Sequence, residues 1–384
     1  MTDDALTAAR ELLPLITRLR EDTENDRRIA RPIVDALLGT RLCRMAIPRT
    51  LGGLELPPVE MLAVYETLAG AEASVAWIVW NNVLPALFGR FLESDTRQEI
   101  FGDPAWMYAS STRPSGRAAL EDDAYRVEGR WSLVSGCELA EWLALRCVVL
   151  ENGQPRMLQP GVPEARFVYV RRGEFEILDT WHTGGLRGSG SHDVVVKALR
   201  VPRRRTCSPA DGNKLHGAFG RAPIVCTMAA GYAAQILGMA ATAVATLIAL
   251  TRSKVGAEPG PALAERPAVL ASIARHGAAL AAARGHLHAC VARQWAIVET
   301  TAPSLEGITA VWTAAHHAME QGRQALEAMY AAGGASSLYK SSPLERAHRD
   351  LHAMSAHVIA QPFWIEDAGR VQLGQAPLNP LYGI

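Results

Sequence analysis

The stretch Trp181-His-Thr-Gly-Gly-Leu-Arg-Gly-Ser-Gly-Ser-His-Asp-Val-Val-Val-Lys-Ala-Leu-Arg-Val-Pro202 places four glycines around Arg187 and then enters a β-branched segment. A dinucleotide-binding loop runs from a strand through glycines into a helix, whose N-terminal NH groups hold the pyrophosphate. Here the glycines lead into Val194-Val-Val196, which predicts a strand, so the nucleotide-fold interpretation loses its structural context. Two alternatives remain from these residues: a ligand-facing loop between strands, or a glycine-rich hairpin that binds nothing.

The composition favours a chain that binds small molecules or proteins. Its 384 residues are 49% hydrophobic, which predicts a large core shared by two or three subdomains. Lys plus Arg and Asp plus Glu both number 39, so there is no basic excess for nucleic acid or an anionic membrane. The six cysteines are scattered without a Cys-x-x-Cys pair, and the first residues show no signal-peptide pattern. We therefore expect a cytoplasmic protein with reduced thiols.

Residues 222–251 carry no charge and are long enough to cross a bilayer. They are dominated by Ala, Gly and Thr with Gln235 in the middle, which is weakly hydrophobic for a membrane span. A buried helix of a bundle is hydrophobic on all sides for the same reason. We therefore expect a bundle helix in preference to a transmembrane helix, and no membrane association.

The periodicity of apolar residues divides the chain into three parts. Helical spacing predicts an N-terminal helical domain over residues 1–105. Short β-type runs separated by turns predict a central β-barrel or sandwich over 106–205. Long helices over 217–251, 262–299, 305–332 and 344–369 predict a C-terminal four-helix bundle within 206–384. The expected class is α+β.

Four motifs in this order resemble the acyl-CoA dehydrogenase superfamily over nearly the whole chain. They are Pro48-Arg-Thr-Leu-Gly-Gly-Leu54, Gly129-Arg-Trp-Ser-Leu-Val-Ser-Gly-Cys137, the stretch 181–202, and Leu344-Glu-Arg-Ala-His-Arg-Asp-Leu-His-Ala-Met-Ser-Ala-His357. The match is closer to the two-component flavin-dependent monooxygenases with this fold. Common acyl-CoA dehydrogenases place a glutamate base seven or eight residues after the Arg-Asp pair, where this chain has His357-Val358.

The resemblance implies a monooxygenase that takes reduced FMN or FAD (FMNH2 or FADH2) from a separate NAD(P)H:flavin reductase. With O2 and a C4a-hydroperoxyflavin it would hydroxylate an aromatic or polyketide-like small molecule of secondary metabolism, or oxidise an amine nitrogen. The resemblance also implies a homotetramer. Two alternatives stay open: an FAD-dependent acyl-CoA dehydrogenase, and a flavin-free member of the fold that acts as a cofactor-independent catalyst or scaffold.

The same resemblance assigns roles to individual residues. Ser135 would place its hydroxyl near flavin N5, and His357 would hydrogen-bond the peroxide or the substrate hydroxyl, because imidazole exchanges protons near neutral pH. The flavin would also contact Ser110, Ser111, Gly116, Trp131, Gly136, Arg187 and Ser189. The substrate pocket would include Asn81, Asn82 and Leu139, the last standing where many relatives have a histidine.

The histidines near the C-terminus have a second interpretation. We expect His348, His352 and His357 on one helix, where the four-residue step between the first two permits a metal pair. No third candidate ligand stands at a sequence spacing that indicates a metal site, so we expect none. The charged residues between them are expected to form interhelical ion pairs: Arg346, Arg349 and Asp350.

Overall fold

The structure is a computed structural model of the chain and describes residues 2–159, 161–253 and 262–384. Its first part is helical. The helices are α1 (Thr2–Asp26), α2 (Arg31–Gly39), α3 (Pro58–Ala71), α4 (Ala73–Phe88) and α5 (Ser94–Phe101). Helix α4 is apolar on nearly all sides because it is enclosed by the other helices and the sheet, and its Trp77 and Trp80 are buried.

The central part is one open mixed sheet with an additional two-stranded ribbon. The strands are β1 (Met107–Glu121), β2 (Ala124–Val134), β3 (Ala140–Glu151), β4 (Gln154–Pro155), β5 (Met157–Gln159), β6 (Val162–Pro163), β7 (Ala165–Arg171), β8 (Glu176–Leu178), β9 (His192–Pro202) and β10 (Thr206–Cys207). The order in the sheet is β10-β7-β3-β1-β2-β9-β8, with β4 on β3 and the ribbon made by β5 and β6. Strands β1 and β3 run parallel and the other pairs antiparallel. The predicted strand after the glycines is therefore present as β9.

Two bulges interrupt the middle of the sheet. Strand β1 pairs Ser111 with Leu145 and then Gly116 with Cys147, so residues 112–115 project from the ladder. Strand β2 shifts register against β9 next to Leu133, whose backbone is left-handed at φ 60°. Bulges re-aim side chains away from the regular pleat. Both therefore direct polar residues out of the sheet at neighbouring positions.

The last part is a helical bundle. Its helices are α6 (Ala218–Arg221), α7 (Ile224–Ser253), α8 (Pro267–Val298), α9 (Leu305–Gly333), α10 (Pro343–Ser355) and α11 (Phe363–Gln372). The segment Ile224–Arg252 is long and apolar enough to cross a membrane. In the fold it packs against α3 and α9, and its small residues Ala229, Ala233 and Ala240 are fully buried there. Its position is that of the central bundle helix.

The fourth predicted helix, over 344–369, is not continuous. Helix α10 ends at Ser355, a short 3-10 turn spans Val358–Ala360, and α11 begins only at Phe363. Pro362 lacks an NH donor and forces the residue before it into an extended conformation, so a helix cannot run through this point. The prediction that His357 shares a helix with His348 and His352 is wrong.

Helices, a mixed sheet and a second set of helices follow one another along the chain, which confirms the predicted α+β class. Helix α5 ends at Phe101 before β1 begins at Met107. Strand β10 continues to Cys207, slightly beyond the boundary placed at 205. The domain boundaries themselves stay predictions.

Candidate active site

A cavity of about 980 Å³ lies where the helices meet the sheet. Its wall is built by α4, the two bulges, the stretch 181–191 and the segment 348–364. Apolar side chains, among them several Trp and Phe rings, make up most of the wall, and no aspartate or glutamate of the described residues lines it. A large apolar cavity with a few polar groups is the usual form of a small-molecule site.

Three serine hydroxyls form a chain that reaches this wall. Trp77 Nε1 donates to Ser135 Oγ at 2.9 Å, Ser135 Oγ lies 2.7 Å from Ser191 Oγ, and Ser191 Oγ lies 2.7 Å from Ser189 Oγ. Ser135 and Ser191 line the cavity. Three hydroxyl protons share two hydrogen bonds, so one proton is left over. When the chain donates from Ser189 towards Ser135, the Ser135 proton faces the cavity.

His357 packs among aromatic rings, one of which is the Trp77 ring that bonds to Ser135. Its ring centroid is 5.2 Å from that of Trp77, 5.5 Å from Trp80 and 5.6 Å from Tyr232, which stacks on it. The backbone NH of Ile359 donates to Nδ1 at 3.3 Å, so the proton of the neutral ring resides on Nε2.

Two causes keep this imidazole neutral. Burial, assisted by the charge of Arg113, lowers the pKa of His357 to about 4. The ring lines the cavity, and none of the described residues bonds to Nε2. His357 therefore presents one N–H donor to a ligand, in the same cavity that Ser135 lines.

The glycine-rich stretch packs against helices. A Cβ on Gly185 would overlap the carbonyl of Arg349 in α10, so only glycine permits this approach. Leu186 adopts a left-handed backbone (φ 48°) and its NH donates to Asp350 Oδ1 at 2.6 Å. Arg187 Nε donates to the Glu24 carbonyl of α1 at 3.1 Å and lies outside the cavity wall. The loop is thus a joint between the sheet and two helices.

The carboxyl group of Asp350, which holds this joint together, has a pKa that departs from its ordinary value. Asp350 is fully enclosed, and burial together with the neighbouring Glu72 carboxylate raises the pKa of Asp350. Arg346 bonds to Glu72 at 3.1 Å, and Arg349 bonds to Glu24 at 2.9 Å. The predicted interhelical ion pairs are confirmed for the two arginines, whereas Asp350 serves the backbone of the loop.

The cavity wall contains five of the predicted site residues: Asn81, Ser110, Ser111, Ser135 and His357. Seven others lie behind it: Asn82, Gly116, Trp131, Gly136, Leu139, Arg187 and Ser189. Each of the seven packs against or bonds to other groups of the protein.

Gly116 packs directly against the ring of Trp131. A side chain on Gly116 would overlap the Trp131 ring, and Trp131 Nε1 donates to the Arg146 carbonyl at 2.8 Å. Gly136 is left-handed at φ 75° and its NH bonds to the Ser189 carbonyl. These residues hold the wall in place from behind.

The predicted substrate residues are divided in the same way. Asn82 uses its amide to join α4 to the sheet: Nδ2 donates to the Ile78 carbonyl, and Oδ1 accepts the Tyr108 NH at 2.7 Å. Leu139 packs against the hydrophobic core. Asn81 alone of the three lines the cavity.

Sequence reasoning missed two arginines of the wall, Arg113 and Arg146. Arg113 is exposed on the β1 bulge, and Arg146 is half-buried on β3, where it faces that bulge and donates from Nη1 to the Thr112 carbonyl at 3.4 Å. Burial lowers the pKa of Arg146. The available signal was a single charge inside an otherwise apolar run, Trp142-Leu-Ala-Leu-Arg-Cys-Val-Val149.

The two remaining histidines also line the cavity. His348 and His352 bring their Nε2 atoms to 3.1 Å, and Tyr330 stacks on His348 at 4.0 Å. Within the described ranges, no group of three His, Cys, Asp or Glu side chains is placed to hold a metal ion.

Comparison with known proteins agrees with this architecture. Residues 230–362 match the family model of the acyl-CoA dehydrogenase C-terminal domain. The flavin-dependent monooxygenase oxygenase subunit HsaA of Mycobacterium tuberculosis is 29% identical over 374 residues, covering 93% of this chain and 92% of its own. The crystal structure of the HsaA monooxygenase superposes with a TM-score of 0.89 at 26% identity and 99% coverage of both chains. This chain belongs to the acyl-CoA dehydrogenase superfamily.

Within this superfamily the chain is similar to monooxygenases. Indole-3-acetate monooxygenase of Pseudomonas putida is 26% identical over 362 residues, or 92% of this chain and 90% of that protein. XiaF from a Streptomyces species, solved in complex with FADH2, has the same fold, with a TM-score of 0.90, 22% identity and coverage of 99% and 97%. The superfamily member described here is therefore a flavin-dependent monooxygenase, an oxidoreductase.

The cavity of this superfamily member fits a flavin. Its volume of about 980 Å³ accommodates a tricyclic ring together with a small substrate. Its walls are mostly apolar, the His357 Nε2–H is available as a donor, and the Ser135 hydroxyl lines the same cavity. The dehydrogenase alternative needs a carboxylate base, but Glu366 is exposed and outside the wall.

Proposed function

We propose that the protein is the oxygenase component of a two-component system that hydroxylates an aromatic small molecule with O2. It takes reduced FMN or FAD from a separate NAD(P)H:flavin reductase, since the fold's relatives are named oxygenase subunits. A relative named for indole-3-acetate supports an aromatic substrate. One observation carries the proposal: a neutral His357 donor and the Ser135 hydroxyl meet in one carboxylate-free cavity.

When bound, the reduced flavin supplies the electrons that activate O2. Ser135 and Ser191 would hold the polar edge of the ring with their hydroxyls, and the Trp77 NH positions the Ser135 oxygen by donating to it. His357 donates from Nε2 to an oxygen atom of the reacting pair. Because its pKa is about 4, His357 stays neutral at working pH and does not bring an additional positive charge into the cavity.

The aromatic wall excludes water from this reaction. Trp77, Trp80 and Trp364 line the cavity and are almost completely buried. A dry site strengthens each hydrogen bond made inside it and suppresses release of hydrogen peroxide to solvent. We also propose a cytoplasmic homotetramer, on the resemblance to the superfamily alone.

The test is an anaerobic titration of the purified protein with photoreduced FMN and FAD, followed by rapid mixing with oxygenated buffer. We expect reduced flavin to bind more tightly than oxidised flavin and a transient absorbance to follow mixing. His357→Ala should increase the fraction of electrons lost as hydrogen peroxide and slow oxygen transfer roughly 100-fold. His317→Ala, on the exposed side of α9, is the matched control.

Two outcomes would contradict the proposal. Reduced flavin that binds no better than to an unrelated protein favours the flavin-free alternative. A stably yellow protein that is bleached by an acyl-CoA favours the dehydrogenase.

A further inference from the structure

Two arginines face the cavity without a carboxylate partner. Arg113 and Arg146 form no ion pair with any aspartate or glutamate in the part of the chain that the structure describes. The third arginine of the wall, Arg349, bonds to both Glu24 and Glu345. The wall therefore carries two uncompensated positive charges.

Arg146 is the more constrained of the two. A guanidinium has five N–H donors, and a buried one requires acceptors for them. Fully buried Arg44 meets this requirement with four backbone carbonyls and the Tyr108 hydroxyl. Among the described residues, half-buried Arg146 has a single side-chain hydrogen bond, the 3.4 Å bond to the Thr112 carbonyl. Its remaining donors are left for a ligand in the cavity.

The neighbourhood of Arg146 is apolar and flat. Arg146 stands opposite Phe167 in the β3–β7 ladder, and paired residues of adjacent antiparallel strands project on the same face. The Phe167 ring lies 4.3 Å from that of Phe88, and both line the cavity together with Leu84. An aromatic body fits against these rings while an attached anion reaches the guanidinium.

We propose that Arg146, assisted by Arg113, binds the carboxylate of the substrate, which is therefore an aromatic acid. The planar fork of a guanidinium matches a carboxylate through two parallel hydrogen bonds. Arg113 follows Thr112, whose carbonyl accepts from Arg146, and both arginines line the same cavity as His357, so an anion held by them shares the cavity with the reacting groups. The inference deepens the proposed function, because the same cavity also receives the flavin.

The test compares acids with their neutral amides by isothermal titration calorimetry on the full-length protein. The probes are phenylacetate with phenylacetamide, and 1-naphthylacetate with 1-naphthylacetamide. We expect the wild type to prefer each acid at least about tenfold. Arg146→Met should weaken acid binding roughly 10- to 100-fold and leave amide binding unchanged. Arg146→Lys should restore part of the preference, since it keeps the charge but not the fork.

Arg200→Met is the matched control, because Arg200 is exposed and paired with Asp123 away from the cavity. It should bind the acids as the wild type does. Arg113→Met should show a smaller loss than Arg146→Met, because Arg113 is exposed to solvent. Unchanged amide binding in each variant shows that the cavity has kept its fold.

Several results would overturn the inference: no preference for the acid in the wild type, no binding of either partner in any pair, or full acid affinity in Arg146→Met. Loss of reduced-flavin affinity with intact acid affinity in Arg146→Met would assign this residue to the flavin and overturn it as well. Failure of the proposed function is distinct. In that case reduced flavin does not bind, while the acid preference and its loss in Arg146→Met persist.

Discussion

The stretch 181–191 and the turn at His357 both line the cavity, but they use their polar groups differently. In the stretch, the Leu186 NH bonds to Asp350, the Arg187 guanidinium bonds to the Glu24 carbonyl, and the Ser189 hydroxyl bonds to Ser191. At the turn, His357 Nδ1 accepts a hydrogen bond from the Ile359 NH, which leaves Nε2 available to a ligand in the cavity. The difference separates residues that build the cavity from a residue that can act in it.

The two regions also differ in the structural role of the residue that makes each of them unusual. Gly185 is required because the chain passes directly over α10. His357 follows the end of α10 at Ser355 and caps the short 3-10 turn Val358–Ala360, and its ring lines the cavity. The glycine motif is explained by close backbone packing. The single histidine beside the helix break is explained by a chemical role in the cavity.

The largest effect on stability should come from a substitution that crowds the contact between the glycine-rich stretch and α10. Gly185→Ala places a methyl group against the Arg349 carbonyl, and backbone on both sides cannot move aside. We expect a loss of about 3 kcal/mol in the free energy of unfolding, measured by urea denaturation. Gly184→Ala is the control, since a Cβ there meets nothing within 4 Å. Equal stability of the two variants would mean that the loop is free to move away from α10.

The pH dependence of stability tests the other region. The pKa of His357 is about 4 in the fold and 6.5 as an ordinary histidine, so the unfolded chain binds more protons between these values. The stability due to neutral His357 is complete above about pH 6.5 and is lost as the pH falls towards 4. We expect the wild type to lose about 2 kcal/mol between about pH 7 and pH 4.5 that His357→Gln does not lose.

This difference is measured by urea denaturation across the pH range, with His317→Gln as control because His317 is exposed. The control should follow the wild type. If His357→Gln follows it too, the fold does not lower the pKa of His357, and the inference that burial keeps the imidazole neutral is wrong.

A smaller effect is expected at the contact between the two regions. Asp350→Ala removes the acceptor of the Leu186 NH and leaves that buried NH unpaired. We expect a loss of about 1.5 kcal/mol in the free energy of unfolding. Asp350→Asn keeps an oxygen in place and removes a carboxyl group whose charge is already disfavoured by burial. It should cost less than Asp350→Ala, and the reverse order would show that the charge itself holds the loop.

Much of the fold follows from the sequence, because periodicity reports which face of an element is buried. The three-part organisation, the strand after the glycines and the buried helix over 222–251 are all read from such patterns. A break in the fourth helix was also predictable, since Pro362 is visible in the sequence, although α10 ends earlier, at Ser355. It was missed because apolar residues continue at helical spacing on both sides of the proline.

The site was only partly accessible to the same reasoning. Ser135 and His357 come from motifs, and the structure brings both to one cavity. Motif proximity could not distinguish Asn81 from Asn82, because only the packing of α4 decides which amide faces the cavity and which bonds to Tyr108. Arg146 belongs to no motif. Its significance lies in an ion pair that it does not make, which is a property of the folded surroundings.

The smallest effect should distinguish the two ends of the serine chain. Ser189→Ala removes a hydroxyl that lies behind the wall, so Ser191 loses one partner while Ser135 keeps its bond from Trp77. We expect a cost of about 1 kcal/mol in stability and no more than about a threefold weaker affinity for reduced flavin. Ser135→Ala removes the wall hydroxyl itself and leaves the buried Trp77 Nε1 without its acceptor. Reduced-flavin affinity, measured by anaerobic titration of both variants, should fall further in Ser135→Ala. Equal losses of affinity would mean that the three serines act as one unit. In that case the position of Ser135 on the cavity wall would not identify it as the serine that contacts the flavin.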